Sequence, residues 1–240
     1  MEVYACSFFI RMTMSKLTTS EIIFEQFCAT HGITYERIPT KAERTPDYEI
    51  TVGEQRIVAE IKQIDPNPNE RIEMEQFAKN GWVVGGRGAP GDRMRNVIHD
   101  ANGQLKQLSK EVLPSILIVY DNVPIASHTA PYCILVAMYG LQQLNLQVPR
   151  DKTQTVRLVG VSFGGKRKMT IKTNTSTSAV AVIHNRDNGE YTLDIYHNVF
   201  ARVPLDYAMF DGLPVRQYTL QDPGNGEFQD WIRIDSSINP

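Results

Sequence analysis

Apolar and polar residues alternate with a period of two on either side of one glycine-containing pair. The alternating runs cover residues 48–52 and 56–62, and a Gly-Glu pair at 53–54 separates them. Because glycine at the first central position suits a type II′ turn, this pattern predicts a β-hairpin. A two-residue loop sets a register in which Ile50 lies opposite Ile57.

Helical periodicity marks the segments before and after this hairpin. Thr18 followed by Glu21 matches a capping box, and apolar residues then recur at helical spacing as far as the stop signal Gly32. A second long helix is predicted over residues 92–111. Its apolar face consists of Met94, Val97, Ile98, Ala101, Leu105 and Leu108.

The remaining elements complete an α/β pattern. The continuous apolar run at 115–122 predicts a strand buried on both faces, and residues 130–141 predict a buried helix or strand. Further strands are predicted at 33–38, 155–163, 168–173, 178–184 and 191–197, with a short helix at 70–80. We therefore expect a mixed β-sheet flanked by helices over residues 1–143. A β-rich extension over residues 144–240 is expected to pack on the same unit, and a single compact domain is preferred.

Two acidic residues meet when the hairpin register is continued outward. Asp47 falls opposite Glu60, and Lys62 lies two residues beyond Glu60 on the same face. Opposed carboxylates destabilise a sheet unless a cation lies between them. Because Mg²⁺ prefers a few hard oxygen ligands, the pattern predicts a divalent-metal site with a cationic helper.

The same residues resemble a known signature. Asp47 after Pro46, followed by Glu60-Ile61-Lys62, resembles the PD-(D/E)xK motif of the restriction-endonuclease-like phosphodiesterases. The resemblance implies a restriction-endonuclease-like fold and a Mg²⁺-dependent nuclease, with Mn²⁺ as a substitute for Mg²⁺. The expected substrate is DNA. It implies that Asp47, Glu60 and the Ile61 carbonyl hold the metal. Lys62 would orient the attacking water or stabilise the transition-state charge.

Two more candidates enter through this resemblance. In this family an acid on the first helix often completes the metal site, which points to Glu25, with Glu21 as the alternative. Residues 101–105 resemble a segment where related enzymes place a glutamine near the metal, so Gln104 is a candidate. The competing interpretations are a solvated charge for Glu25 and a polar helix surface for Gln104.

The distribution of charge adds a candidate nucleic-acid surface. The net charge is −2 and the isoelectric point is about 6.2, yet basic residues are concentrated at 79–110 and 150–172. Such patches supply salt-dependent attraction to phosphates, although each is also compatible with a role in solubility. Residues 164–168 are interpreted as a hairpin tip that carries cations. The predicted phosphate contacts are Arg87, Arg93, Arg95, Lys166, Arg167 and Lys168.

Other features limit the class of protein. No apolar run approaches the roughly 18 residues of a membrane span. The three cysteines lack metal-ligand spacing, which favours a reducing, cytoplasmic compartment. Two alternatives to a nuclease stay open: an inactive nuclease-like fold that binds nucleic acid or protein, and an unrelated α/β protein with a chance motif. The choice between DNA and RNA, the mode of cleavage and a homodimer also stay open.

Overall fold

The computed structural model describes residues 17–39, 45–85, 88–109, 112–186, 189–223 and 226–234. Within these ranges the α-helices are α1 (Thr19–His31), α2 (Pro68–Asn80), α3 (Asp92–Ser109) and α4 (Pro131–Tyr139). The strands are β1 (Thr34–Arg37), β2 (Tyr48–Val52), β3 (Gln55–Ile64), β4 (Ser115–Asp121), β5 (Gln142–Gln147), β6 (Arg157–Phe163), β7 (Ala179–Asn185), β8 (Tyr191–His197), β9 (Val215–Thr219) and β10 (Ile232–Ile234). None of these helices is long and apolar enough to cross a membrane.

Eight strands form one mixed sheet in the order β1-β2-β3-β4-β7-β8-β9-β10. The pairs β3–β4, β4–β7 and β8–β9 are parallel, and the other pairs in the sheet are antiparallel. The buried side chains of α1 pack on one face of the sheet, and those of α3 and α4 pack on the other. The predicted mixed sheet flanked by helices is confirmed.

The first helix begins and ends where its capping residues predict. The Thr18 hydroxyl accepts from the Glu21 backbone N–H at 3.3 Å, and the Glu21 carboxylate accepts from the Thr18 N–H at 2.6 Å. At the other end Gly32 has a φ of +68°, a conformation that favours glycine. The residues that α1 buries against the sheet are Ile23, Phe24, Phe27 and Cys28.

The β2–β3 hairpin follows the predicted register, with Ile50 paired to Ile57. Gly53 has a φ of +60°, which the first central position of a type II′ turn requires. β3 continues to Ile64, two residues past its predicted end, because the first proline after it is Pro66. The hairpin therefore presents one long central strand to the rest of the sheet.

β4 lies at the centre of the sheet, parallel to β3 on one side and to β7 on the other. Leu117 and Ile118 belong to the two opposite cores and are each 1% exposed. The predicted strand buried on both faces is thus confirmed. Because β7 pairs directly with β4, the C-terminal strands continue the same sheet rather than forming a layer of their own.

Two predictions in the C-terminal part are wrong. Residues 168–173 form only an isolated bridge instead of a strand. Residues 164–168 are not the tip of a hairpin, because β6 pairs with β5, the strand before it, and not with a strand that follows residues 164–168. The segment instead packs on α4, where the Lys168 N–H donates to the Ala137 carbonyl at 3.0 Å and Met169 is fully buried.

A buried histidine at the end of β8 makes stability depend on pH. His197 is 4% exposed, and its Nε2 lies 3.0 Å from Gln217 Oε1. The Gln217 amide nitrogen donates to the Tyr207 carbonyl at 2.8 Å, so Oε1 is the acceptor and His197 is the donor. Burial lowers the pKa of His197 to about 4, and the native imidazole stays neutral above that pH.

We expect His197 to lower the free energy of unfolding by about 3 kcal/mol as the pH falls from 6.5 to 4. The unfolded chain binds a proton to this residue below pH 6.5, whereas the native state does not. Urea unfolding of the wild type, His197→Asn and a control at the exposed His99, His99→Asn, measures the effect. His197→Asn should show a shallower decline than the other two proteins. Parallel curves for all three would contradict the prediction.

Candidate metal centre

The two predicted acidic ligands lie where the pairing of β2 with β3 ends. Tyr48 is paired with Ala59, so the next residues outward are Asp47 and Glu60. Asp47 Oδ2 accepts a hydrogen bond from the Ile61 backbone N–H at 2.8 Å. This bond holds the Asp47 carboxylate beside β3, next to the predicted Glu-x-Lys segment.

Strand alternation directs Glu60 and Lys62 to the face of the sheet that α3 covers. Their neighbours on β3, Val58 and Ile64, belong to the core beneath α3 and α4, whereas Ile61 belongs to the core beneath α1. The Glu60 carboxylate is therefore enclosed between the sheet and α3, whereas the Lys62 side chain is 30% exposed. The predicted placement of Glu60 and Lys62 on one face is confirmed.

The Glu60 carboxylate is buried with little compensation for its charge. The residue is 0% exposed, and Lys62 Nζ lies 2.5 Å from Oε1. Beyond that ion pair, only the Asp47 backbone N–H acts on the carboxylate as a donor, and too weakly to form a hydrogen bond of ordinary geometry within the described residues. Burial and the negative charge of Asp47 raise the pKa of Glu60 to about 7, although the Lys62 ammonium opposes the shift. A buried carboxylate that lacks full pairing costs folding free energy.

The pKa of Asp47 is shifted in the same direction as that of Glu60. Burial raises its pKa above the ordinary value, and the negative charge of Glu21 adds to the increase. The Ile61 N–H and the Lys62 ammonium act in the opposite direction. Burial is thus the main cause of the raised pKa of both acids, and a bound divalent cation would offset its cost.

Gln104 connects α3 to this cluster. Its Oε1 accepts from Lys62 Nζ at 3.3 Å, and its Nε2 donates to the Thr45 carbonyl at 3.2 Å. The amide thus ties α3 both to β3 and to the segment that leads into Asp47. The structure brings the predicted Gln104 into contact with Lys62, 42 residues earlier in the chain.

Glu25 lies in the layer formed by α1, among residues that the sequence did not single out. Its Oε1 accepts from Arg37 Nε at 2.7 Å and from the Tyr48 hydroxyl at 2.9 Å. Arg37 also lies 3.6 Å from Glu21, the alternative acid. Arg37 lies opposite Tyr48 where β1 pairs with β2. A predicted pairing of these two strands was the sequence signal that could have identified this cluster. Of the two helix acids, Glu21 is the one whose charge raises the pKa of Asp47.

The donor set fits a hard divalent cation. Asp47 and Glu60 offer carboxylate oxygens, the Ile61 carbonyl lies between Glu60 and Lys62 in the chain, and Mg²⁺ favours such oxygens together with water. The unpartnered Glu60 Oε2 is the atom that a cation would satisfy. Across the residues that the structure describes, no three His, Cys, Asp or Glu side chains already converge into a complete metal site.

The basic candidates on the first patch serve largely internal contacts. Arg87 lies outside the described residues. Arg93 donates to the Glu70 carboxylate at 3.1 Å and is partly exposed. Arg95 is 8% exposed, and it donates to backbone carbonyls and to Asp92. These contacts position α3 and disfavour Arg95 as a phosphate contact.

The second patch faces solvent. Lys166 and Arg167 are exposed, and Lys168 is half-buried. The hydrogen bond from Arg95 holds the pKa of Asp92 below its usual range, and the charge of Lys166 adds to this effect, which places the loop near the start of α3. These three cations remain available to an anionic partner.

No protein-family model matches the chain, and no curated protein and no solved structure matches it. The functional interpretation of the site is therefore built on Asp47, Glu60, Lys62 and Gln104 themselves.

Proposed function

We propose that the chain is a Mg²⁺-dependent nuclease with a restriction-endonuclease-like core, which hydrolyses phosphodiester bonds in DNA. The observation that carries the proposal is the fully buried Glu60 carboxylate, with Lys62 at 2.5 Å and the charge of Asp47 close by. Placing a carboxylate there has a folding cost that a metal-binding function explains.

The order of elements supports the same proposal. A helix, a strand and a hairpin precede the Glu-x-Lys strand, and a long helix and a buried central strand follow it. This is the order that the resemblance to the PD-(D/E)xK nucleases implies. The acid pair lies on β2–β3 and the supporting glutamine lies on α3, so rigid elements position each group.

The roles of the side chains follow from their contacts. Asp47 and Glu60 would hold the metal, with the Ile61 carbonyl as a further ligand. The predicted ligand Glu25 is instead bonded to Arg37 and Tyr48, so its alternative Glu21, whose charge acts on Asp47, is the helix acid better placed to add a ligand through water. When bound, Mg²⁺ supplies polarisation of the phosphate and lowers the pKa of a water molecule. Lys62 would orient the attacking water or stabilise negative charge as it develops on the phosphate.

Gln104 acts on Lys62 rather than on the phosphate. Its hydrogen bond fixes the position of the ammonium group, and its second bond to Thr45 fixes the amide. Gln104 is therefore a positioning residue in this mechanism. The side chains of Lys62 and Gln104 also limit the access of bulk water to the buried acid.

A second candidate is a nuclease-like fold that binds nucleic acid without cutting it. This function is favoured by the absence, among the described residues, of three converging metal-ligating side chains. It predicts DNA binding that neither requires a divalent ion nor leads to hydrolysis.

A plasmid-relaxation assay separates the two candidates. We expect supercoiled DNA to be nicked or linearised by the wild type with Mg²⁺ or Mn²⁺, and to stay intact when a chelator is present. DNA that binds but stays intact with either ion would support the binding module instead.

A further inference from the structure

β5 and β6 form a two-stranded ribbon outside the main sheet. The ribbon is fixed at its base, where the Gln142 amide donates to the Gln229 carbonyl and the Val161 N–H donates to the Gly226 carbonyl, each at 2.7 Å. Beyond the base, all the residues of β5 are exposed. Isolated hairpins are at best marginally stable in water. An exposed ribbon of this kind therefore indicates a binding partner.

The two faces of the ribbon differ in chemistry. On one face Gln147 lies opposite Arg157, and the Asn145 amide lies 3.3 Å from the Ser162 hydroxyl. The other face is apolar and includes the cross-strand pair of Leu146 and Leu158. Across the ribbon and its loop, the large apolar side chains that are more than half exposed are Leu144, Leu146, Val148, Val156, Leu158 and Val159.

The ribbon also carries positive charge on an otherwise acidic chain. The ribbon and its loop, residues 142–163, contain three basic residues and one acidic residue, a net charge of +2. The whole chain has a net charge of −2, which leaves −4 for the rest. Such segregation favours a polyanionic partner.

We infer that the β5–β6 ribbon binds duplex DNA, with its amide-and-arginine face in the major groove. The inference rests on the proposed function for the identity of the polyanion. A major groove about 12 Å wide admits a two-stranded ribbon, and Asn, Gln and Arg are the side chains that bond most specifically to base edges there. Each strand of the ribbon spans about 20 Å, enough to follow several base pairs.

The base of the ribbon packs on the same face of the main sheet as the candidate metal centre. Phe163, at the base of the ribbon, packs against the core beneath α3 and α4. Glu60 and Lys62 project from the same face of the sheet.

A second copy of the chain is the competing occupant, because it could cover Leu146 and Leu158. Charge disfavours this alternative, since two ribbons placed together would bring two positively charged segments into contact. A duplex instead neutralises the cations, and the polar face provides the hydrogen bonds that it needs.

The test measures binding of a fluorescent mixed-sequence DNA duplex in Ca²⁺ over a range of salt concentrations. For Arg150→Ala/Lys152→Ala we expect the slope of log affinity against log salt to become shallower by about two units. For Gln147→Ala/Arg157→Ala we expect affinity to fall at least about tenfold. Circular dichroism checks that these exposed substitutions leave the fold intact.

Two double variants serve as controls in the same binding assay. Arg56→Ala/Arg186→Ala removes two exposed cations outside the two basic segments, and Leu146→Ala/Leu158→Ala alters only the apolar face; both should bind like the wild type. Equal slopes and affinities for the ribbon and control variants would overturn the inference. Sedimentation as a dimer that Leu146→Ala/Leu158→Ala disrupts, with DNA binding unaffected by the ribbon cations, would assign the ribbon to a second copy.

DNA binding by the ribbon and DNA cleavage by the proposed nuclease can fail independently of each other. Ribbon-dependent binding without cleavage in Mg²⁺ or Mn²⁺ would support the ribbon and refute the nuclease. Cleavage that persists while every ribbon variant binds like the wild type would support the nuclease and refute the ribbon.

Discussion

Lys62→Ala is expected to abolish DNA cleavage, with a loss of at least about a hundredfold, while metal affinity stays within a few-fold of the wild type. Lys62 contacts Glu60 and Gln104 and is not a metal ligand in the proposed mechanism. Its removal takes away the positive charge that acts on the reacting phosphate. Single-turnover cleavage rates and Mn²⁺ affinity, measured on the same protein, test both halves of the prediction.

The comparison with the two acids makes this prediction specific. Asp47→Ala and Glu60→Ala should abolish cleavage as well, but each should also weaken metal binding because each removes a ligand. Lys106→Ala, at an exposed position on α3, is the matched lysine control and should cut like the wild type. Full activity in Glu60→Ala, or loss of metal binding in Lys62→Ala, would be incompatible with these roles.

Glu60→Gln is expected to make the metal-free protein more stable at pH 8 and to remove its response to divalent ions. The substitution eliminates a buried negative charge that lies beside Asp47, while it keeps the size of the side chain. The wild type should gain about 2.7 kcal/mol of unfolding free energy when the free metal is at 100 times its dissociation constant. Urea unfolding with a chelator and with Mn²⁺ measures both effects.

Glu49→Gln provides the control for this experiment. Glu49 is paired with exposed Arg56 on the same hairpin, at 2.6 Å, so its removal changes a surface ion pair and not the metal site. It should neither stabilise the metal-free protein nor weaken the metal response. A Glu60→Gln protein that Mn²⁺ stabilises as much as the wild type would show that Glu60 is not a ligand.

Local sequence signals predicted the part of the fold that carries the acids. The capping box of α1 and the Gly-Glu turn of the hairpin are short-range features, and the turn alone sets the register that brings Asp47 opposite Glu60. By contrast, the strand predicted at 168–173 failed because Met169 is buried against α4 instead of pairing with a strand. Such a tertiary contact overrides local β-propensity.

The rest of the site depends on contacts between distant segments. The bond between Lys62 and Gln104 joins β3 to α3, and only the resemblance pointed to it. The burial of Arg95 arises from the packing of α3 on α4, so its sequence neighbours gave no indication that it was unavailable to phosphate. β5 was missed although residues 143–148 alternate polar and apolar, the usual signature of a half-buried strand. In the structure this strand is exposed on both faces and lies outside the main sheet, which a local pattern cannot show.

The central claim is that Asp47 and Glu60 form a divalent-metal site. Calorimetric titration of Mn²⁺ into the wild type and into Glu60→Gln tests it most directly, because the heat of metal binding depends neither on the substrate nor on turnover. We expect saturable binding to the wild type and a loss of affinity of at least about tenfold in the variant. A wild type that takes up no Mn²⁺, or a variant that binds it equally well, would contradict the claim.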